Sequence, residues 1–227
     1  MNKEDNIEII NVSKPPYGGW GGIKICGMKD PENIRAVAAL NPDYMGFIFY
    51  SKSPRYAGAL DPEVVGALSD TICKVGVFVN EPTSNVLAIA TQYQLNAIQL
   101  HGNETPEECM ALQKAGLKVI KALSVANVDD LTKADAYQTC CDYLLFDTKT
   151  PLYGGSGQQY DWTILSHYQG QLPFFLSGGI GLEDAERVCN FFHPKLHAID
   201  VNSRFETAPG LKNTSALEFF IKETGQS

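Results

Sequence analysis

The chain has 227 residues, 44% of them hydrophobic and 19% charged, the composition of an ordinary globular protein long enough to bury one substantial core. Eighteen basic against 26 acidic side chains leave a net charge of −8, which excludes a binder held mainly by nucleic-acid phosphates and means that a local site must hold any anionic ligand. No run of about 18 apolar residues is present to span a membrane.

The first 22 residues, MNKEDNIEIINVSKPPYGGWGG, carry no regular pattern and no apolar core of the signal-peptide type. They are expected to form an irregular N-terminal arm at positions 1–22, ahead of one domain at 23–227. Eight short apolar or β-branched runs follow: Ile23–Cys26, Tyr44–Phe49, Lys74–Val79, Ala97–Leu100, Lys118–Ala122, Tyr143–Asp147, Phe174–Ser177 and His197–Val201. Their starts lie 21 to 31 residues apart, room for one helix and two loops, which is the repeat of a parallel sheet with helical crossovers. Helix openings stand between them. Asp30-Pro31-Glu32 and Asp61-Pro62-Glu63 each place a capping carboxylate before a proline at the first helical position. Thr105 and Glu108 have the spacing of a capping box, and Gly116 ends that helix. Leu182–Phe191 and Ser215–Thr224 supply the last two helices. Eight strands alternating with helices predict an α/β fold, a parallel eight-stranded (β/α)8 TIM barrel. The rival, a doubly wound open sheet, would show a G-x-G-x-x-G turn after the first strand, and here that strand runs into Cys26-Gly27-Met28-Lys29.

Barrel sites lie at the C-terminal ends of the strands. In Ile23-Lys24-Ile25-Cys26 the two isoleucines share one face, and Lys24 and Cys26 the other. The helical layer needs the isoleucines, so Lys24 and Cys26 point into the barrel. A cation beside a thiol favours the thiolate, which makes Cys26 a candidate base or nucleophile; the alternative is a small buried core residue. Lys24 otherwise pairs with a carboxylate inside the barrel. Asp147 closes an apolar strand and is either a candidate acid or base or the cap of the next turn. Gln99 and His101 share the inward face at the end of the fourth strand, His101 being either functional or a satisfied rim residue. Lys52 and Arg55 put two cations after the second strand, and Arg55 has the fork to grip a carboxylate.

The late loops are rich in glycine. Gly178 and Gly179 follow the seventh strand, and Asp200-Val201-Asn202-Ser203-Arg204 ends the eighth, the positions where barrels commonly bind phosphate. Gly154-Gly155-Ser156-Gly157 reads either as a loop that closes over a ligand or as a plain turn. The six cysteines, Cys26, Cys73, Cys109, Cys140, Cys141 and Cys189, form no C-x-x-C pair, and the four histidines have no H-E-x-x-H spacing. Reduced thiols in a cytoplasmic chain, with no metal, are therefore expected.

Together these segments resemble the phosphoribosylanthranilate isomerase family. The matching stretches are KICGMKD (Lys24–Asp30), GFIFYSKSPRY (Gly46–Tyr56), VGVFVNE (Val75–Glu81), IQLHGNE (Ile98–Glu104), LLFDT (Leu144–Thr148), GGSGQQYDW (Gly154–Trp162), LSGGI (Leu176–Ile180) and DVNSRFETAPGLKN (Asp200–Asn213). The resemblance implies a cofactor-independent Amadori rearrangement of N-(5-phosphoribosyl)anthranilate in tryptophan biosynthesis. It implies Cys26 as general base and Asp147 as general acid. Substrate would be held by Arg55, Lys24, Gln99, His101 and Asp200, and phosphate by Gly178, Gly179, Ser203, Arg204, Gly154 and Gly155. The expected partner is a phosphorylated small molecule, with no nucleic acid and no membrane, and a monomer is favoured over a dimer. Two positions depart from the family pattern. Arg204 stands where a small residue is common, so its side chain either crowds the phosphate or pairs with it, and Ser156 stands where threonine is common. The alternatives are another sugar-phosphate isomerase or epimerase, often metal-dependent, and a barrel that binds a phosphorylated ligand without turning it over.

Overall fold

The computed structural model describes residues 21–149, 157 and 159–225. Eight parallel strands close into a barrel in sequence order: β1 (Ile23–Ile25), β2 (Tyr44–Ile48), β3 (Cys73–Phe78), β4 (Ala97–Leu100), β5 (Lys118–Val125), β6 (Tyr143–Thr148), β7 (Phe174–Leu176) and β8 (Leu196–Val201). The ring shuts where β1 pairs with β8, Lys24 opposite Asp200. All eight strands predicted from the sequence are present, with β5 running three residues beyond its expected end and β7 stopping at Leu176, one residue short of Ser177.

Side-chain alternation divides the apolar residues into two layers. Tyr44, Val75, Ala97, Ile120, Leu145 and Phe175 fill the inside of the barrel. Ile23, Ile25, Met45, Phe47 and Phe78 face outward and meet Ile34, Val37, Val65, Val86 and Leu112 of the helices. The inward–outward assignment of the first strand therefore holds: both isoleucines are in the outer layer, while Lys24 is fully buried on the other face.

The helices are α1 (Pro31–Ala38), α2 (Pro62–Gly66), α3 (Thr83–Gln92), α4 (Pro106–Lys114), α5 (Ala185–Asn190) and α6 (Thr214–Glu223). The caps act as predicted. Asp30 accepts from the Asn33 amide at 2.8 Å, Asp61 accepts from that of Glu63 at 3.0 Å, and Thr105 and Glu108 make both halves of the capping box. The sequence carried no signal for α3, whose N-cap is Pro82 and which has no side-chain cap; packing of Val86 and Ala90 under it substitutes for one. Two crossovers show no α-helix among the described residues. Val128–Tyr137 and Trp162–His167 are 3-10 segments, and the expected helix from Leu182 begins with a 3-10 turn before α5. After β8 the chain makes a 3-10 turn (Ser203–Phe205) and a small antiparallel hairpin, β9 (Glu206–Ala208) and β10 (Leu211–Lys212). Among the described residues no helix is long and apolar enough to cross a membrane.

Candidate active site

A cleft opens at the C-terminal ends of the strands. Cys26, Arg55, Gln99, His101, Asp147, Gly179, Asp200, Ser203 and Arg204 all line it, so most of the residues singled out from the sequence converge. β1 and β6 are separated by β7 and β8 around the ring, which sets Cys26 and Asp147 facing one another across the mouth. Gly154, Gly155 and Ser156, like Tyr17 and Trp20 of the arm, lie outside the described residues.

Cys26 sits just past β1, 4% exposed. Its sulfur needs Gly46 on the neighbouring strand, where a Cβ would stand 2.6 Å from Sγ. Lys24, one step below on the same face, is not in the cleft wall. Its Nζ donates to Asp200 Oδ1 at 2.7 Å, and Ser177 Oγ donates to Asp200 Oδ2 at 2.9 Å. Burial pushes the Lys24 ammonium down, but Asp200 and then Cys26 outweigh it and carry it up to about 12. The same burial pushes the Cys26 thiol up; Lys24 and, more weakly, Lys212 pull it down, and Asp200 opposes them. Lys24 alone would favour the thiolate at Cys26. In the structure desolvation dominates, and the thiol is the resting form.

Asp147 ends β6 with its Oδ1 accepting from the Thr148 amide at 2.8 Å. Its Oδ2 lies 3.3 Å from His101 Nε2, and His101 Nδ1 lies 2.8 Å from Gln99 Nε2. Among the described residues, the buried Oε1 of Gln99 has no hydrogen-bond partner. The loop bearing His101 is held from below. Lys121 Nζ donates to Leu100 O, Gly102 O and Glu104 Oε2 at 3.1, 2.8 and 2.9 Å, and Glu104 in turn accepts from the Gly102 and Asn80 amides.

Arg55 is buried rather than solvated, and its fork is already engaged. Nε donates to both oxygens of Glu206, at 2.9 and 3.0 Å, and Nη2 to Oε2 at 2.7 Å. A substrate carboxylate would meet the rest of the guanidinium, not the edge Glu206 holds. Lys52, the other cation of that loop, is exposed and away from the cleft. Sequence reasoning assigned no role to Glu206 or Lys212. Lys212 Nζ donates to Glu206 Oε1 at 2.7 Å and to Asn202 Oδ1 at 2.7 Å. Burial raises the Glu206 carboxyl, but Arg55 and Lys212 hold it below its ordinary range. The only sequence signal was a Glu and a Lys six residues apart around Pro209-Gly210, a turn-and-hairpin pattern whose inward side no periodicity marks.

At the other end of the cleft Gly178 and Gly179 have φ of +104° and +64°, a pair of left-handed residues that turns successive amides toward an anion. A Cβ on Gly178 would stand 2.5 Å from Thr148 Oγ1. Gln159 Nε2 braces this turn by donating to Gly179 O at 2.9 Å and to Asp184 Oδ2 at 2.6 Å. Ser203 and Arg204, after the neighbouring strand β8, line the cleft with it, and Arg204 Nη2 is paired with Glu183. The arrangement offers a thiol and a carboxyl on opposite walls, an anion cradle at one end and a guanidinium at the other. Among the described residues the one cluster with metal-ligand spacing, the sulfurs of Cys109, Cys140 and Cys141, lies outside the cleft.

Residues 23–223 match the family model described as N-(5'phosphoribosyl)anthranilate (PRA) isomerase. The isomerase of that name from Parabacteroides distasonis is 47% identical over 203 residues, covering 88% of this chain and 92% of the relative. The crystal structure of the Thermotoga maritima phosphoribosyl anthranilate isomerase superposes with a TM-score of 0.80 at 34% identity, covering 91% of this chain and 99% of that one. A structure of the enzyme in complex with reduced 1-(o-carboxyphenylamino)-1-deoxyribulose 5-phosphate gives a TM-score of 0.75 at 31% identity, with the same coverage.

Proposed function

Since the chain belongs to the N-(5'-phosphoribosyl)anthranilate isomerase family and so carries out that aldose–ketose rearrangement in tryptophan biosynthesis, we propose that Cys26 is its general base and Asp147 its general acid. The observation that carries this assignment is the placement of both side chains in one cleft, on strands separated by two others around the ring, with the Gly178–Gly179 turn and Arg55 in its lining region.

The phosphate sits against Gly178, Gly179 and Ser203, with Arg204 leaving Glu183 to pair with it. The aryl carboxylate points to the free side of Arg55. Asp147, protonated, gives its proton to the furanose ring oxygen, and the C1–O bond breaks to leave an iminium. Cys26, its own proton first released to solvent, removes the hydrogen on C2 as the thiolate and becomes a thiol again; the iminium makes that carbon acidic enough for a thiolate. The electron pair moves into the C1–C2 bond and neutralises the nitrogen. The resulting enolamine tautomerises to the ketone. Hydrogen moves within one molecule, so the reaction calls for no redox cofactor.

Lys24 acts from beneath Cys26 rather than on substrate, its ammonium stabilising the thiolate as it forms. His101 orients Asp147. When Gln99 turns its Oε1 to His101 Nδ1, that nitrogen carries the ring proton, and Nε2 is free to accept from a protonated Asp147. The same reading takes the enzyme to be cytoplasmic and a monomer rather than a dimer.

Cys26→Ala and Asp147→Asn test the assignment. Each is expected to lower kcat by about a hundred- to ten-thousand-fold, followed by loss of substrate fluorescence, with the circular dichroism spectrum unchanged. Near-normal turnover in either variant removes that residue from its role.

A further inference from the structure

Cys109, Cys140 and Cys141 hold their sulfur atoms within 4.8 Å of one another. All three are free and at most 4% exposed. No spacing in the sequence announces the group, because Cys109 comes from α4 and the other two from the turn that closes the 3-10 segment before β6. The turn is held by the Cys140 amide donating to Tyr137 O at 3.2 Å. Cys140 Sγ leans on the carbonyls of Tyr137 and Ala136 at 3.6 and 3.8 Å, and the Cys109 and Cys141 sulfurs hydrogen-bond to each other.

A metal–sulfur bond of about 2.3 Å puts three sulfurs about 4 Å apart around a trigonal ion. The cluster needs less than about 1 Å of contraction to reach that. The described histidines, cysteines and carboxylates supply no fourth ligand to the group. Zinc asks for four ligands in a tetrahedron, whereas soft thiolates with three positions suit a monovalent soft ion. We propose that Cys109, Cys140 and Cys141 form a three-thiolate site for Cu(I).

Binding forms three S–Cu bonds, releases up to three thiol protons to solvent and leaves copper in the +1 state, so no oxidant enters. The buried Lys121 ammonium offsets the negative charge and already pulls the Cys109 thiol down, after its hydrogen bond from Cys141. Cys141 lies two residues before β6 and six before Asp147, a span of about 20 Å at the strand rise. The ion would tie α4 to β6 well below the cleft, stabilising the fold without entering the reaction.

The test is an anaerobic titration of the reduced, metal-free full chain with Cu(I) against a chromophoric Cu(I) chelator, with isomerase activity followed in parallel. The expected result is one equivalent held with activity intact, at least tenfold weaker retention in Cys109→Ser and Cys141→Ser, and no change in Cys189→Ser. Failure of the wild type to hold an equivalent, equal retention by both serine variants, or loss of activity with the first equivalent (capture by Cys26) overturns the site. Zinc held as tightly as copper overturns the three-coordinate assignment. If the serine variants do not fold, X-ray absorption on the copper-loaded wild type decides: three sulfur neighbours support the site, and two, or any nitrogen or oxygen, refute it.

Discussion

Replacing Lys24 by Met separates what the ammonium does for the fold from what it does for Cys26. The side chain is fully buried and its partner Asp200 is 7% exposed. The rise of the ammonium from 10.5 to about 12 corresponds to about 2 kcal/mol of folding stability. Because the folded value is the higher one, this contribution is complete below pH 10.5 and is lost as pH climbs through about 12. The variant loses more than that at neutral pH. It leaves a buried carboxylate without its cation, which costs about 3–5 kcal/mol. The double variant Lys24→Met/Asp200→Asn removes both charges and should recover most of the loss. The kinetic effect behaves differently. Lys24 is the largest influence lowering the Cys26 thiol, and it outranks the opposing effect of Asp200. Without the cation, the rising limb of kcat/KM against pH should move to higher pH, a loss of rate near neutrality that shrinks at high pH. The limb should stay displaced in the double variant, though less far. A limb that does not move while urea unfolding shows the loss of stability would make Lys24 a structural ion only, and would refute its coupling to the base.

Glu206→Gln should raise KM about tenfold, with a smaller change in kcat, because one charge-assisted grip on Arg55 is lost; an unchanged KM would show that Arg55 is oriented by other contacts. Gly178→Ala forces a side chain onto a backbone at φ +104° and against Thr148 Oγ1. It should raise KM and weaken competitive inhibition by inorganic phosphate in parallel, and equal inhibition constants in wild type and variant would place the phosphate elsewhere. His197 is half-buried on β8, where the Tyr44 hydroxyl lies 2.7 Å from its Nε2, and desolvation pushes its imidazole down to about 4. Its folded value lies below 6.5, so stability is full above that pH and falls by about 3 kcal/mol as pH drops toward 4. Urea unfolding of His197→Gln across that range should lack this component, and identical pH dependence in wild type and variant would contradict it.

The eight strands, the capped helices and the positions of Cys26 and Asp147 at strand ends were legible in the sequence because each is encoded locally. Alternation over four residues puts Lys24 and Cys26 on one face, and a carboxylate or threonine before a proline marks a helix start. The 3-10 crossovers at Val128–Tyr137 and Trp162–His167 were not legible, since both kinds of helix draw on similar residues and the space between barrel and solvent decides between them. The protonation of Cys26 and the engagement of Arg55 were also beyond the sequence. Arg55 meets Glu206 across 151 positions, and the thiol is governed by burial that exists only once β1 is enclosed between β2 and β8. The three-sulfur cluster likewise forms only when α4 packs on the turn before β6. Short-range pattern determined which elements form and which way each side chain faces. Closure of the ring determined which charges meet and how much water they lose, because desolvation and long-range pairing are properties of the assembled barrel and of no segment in it.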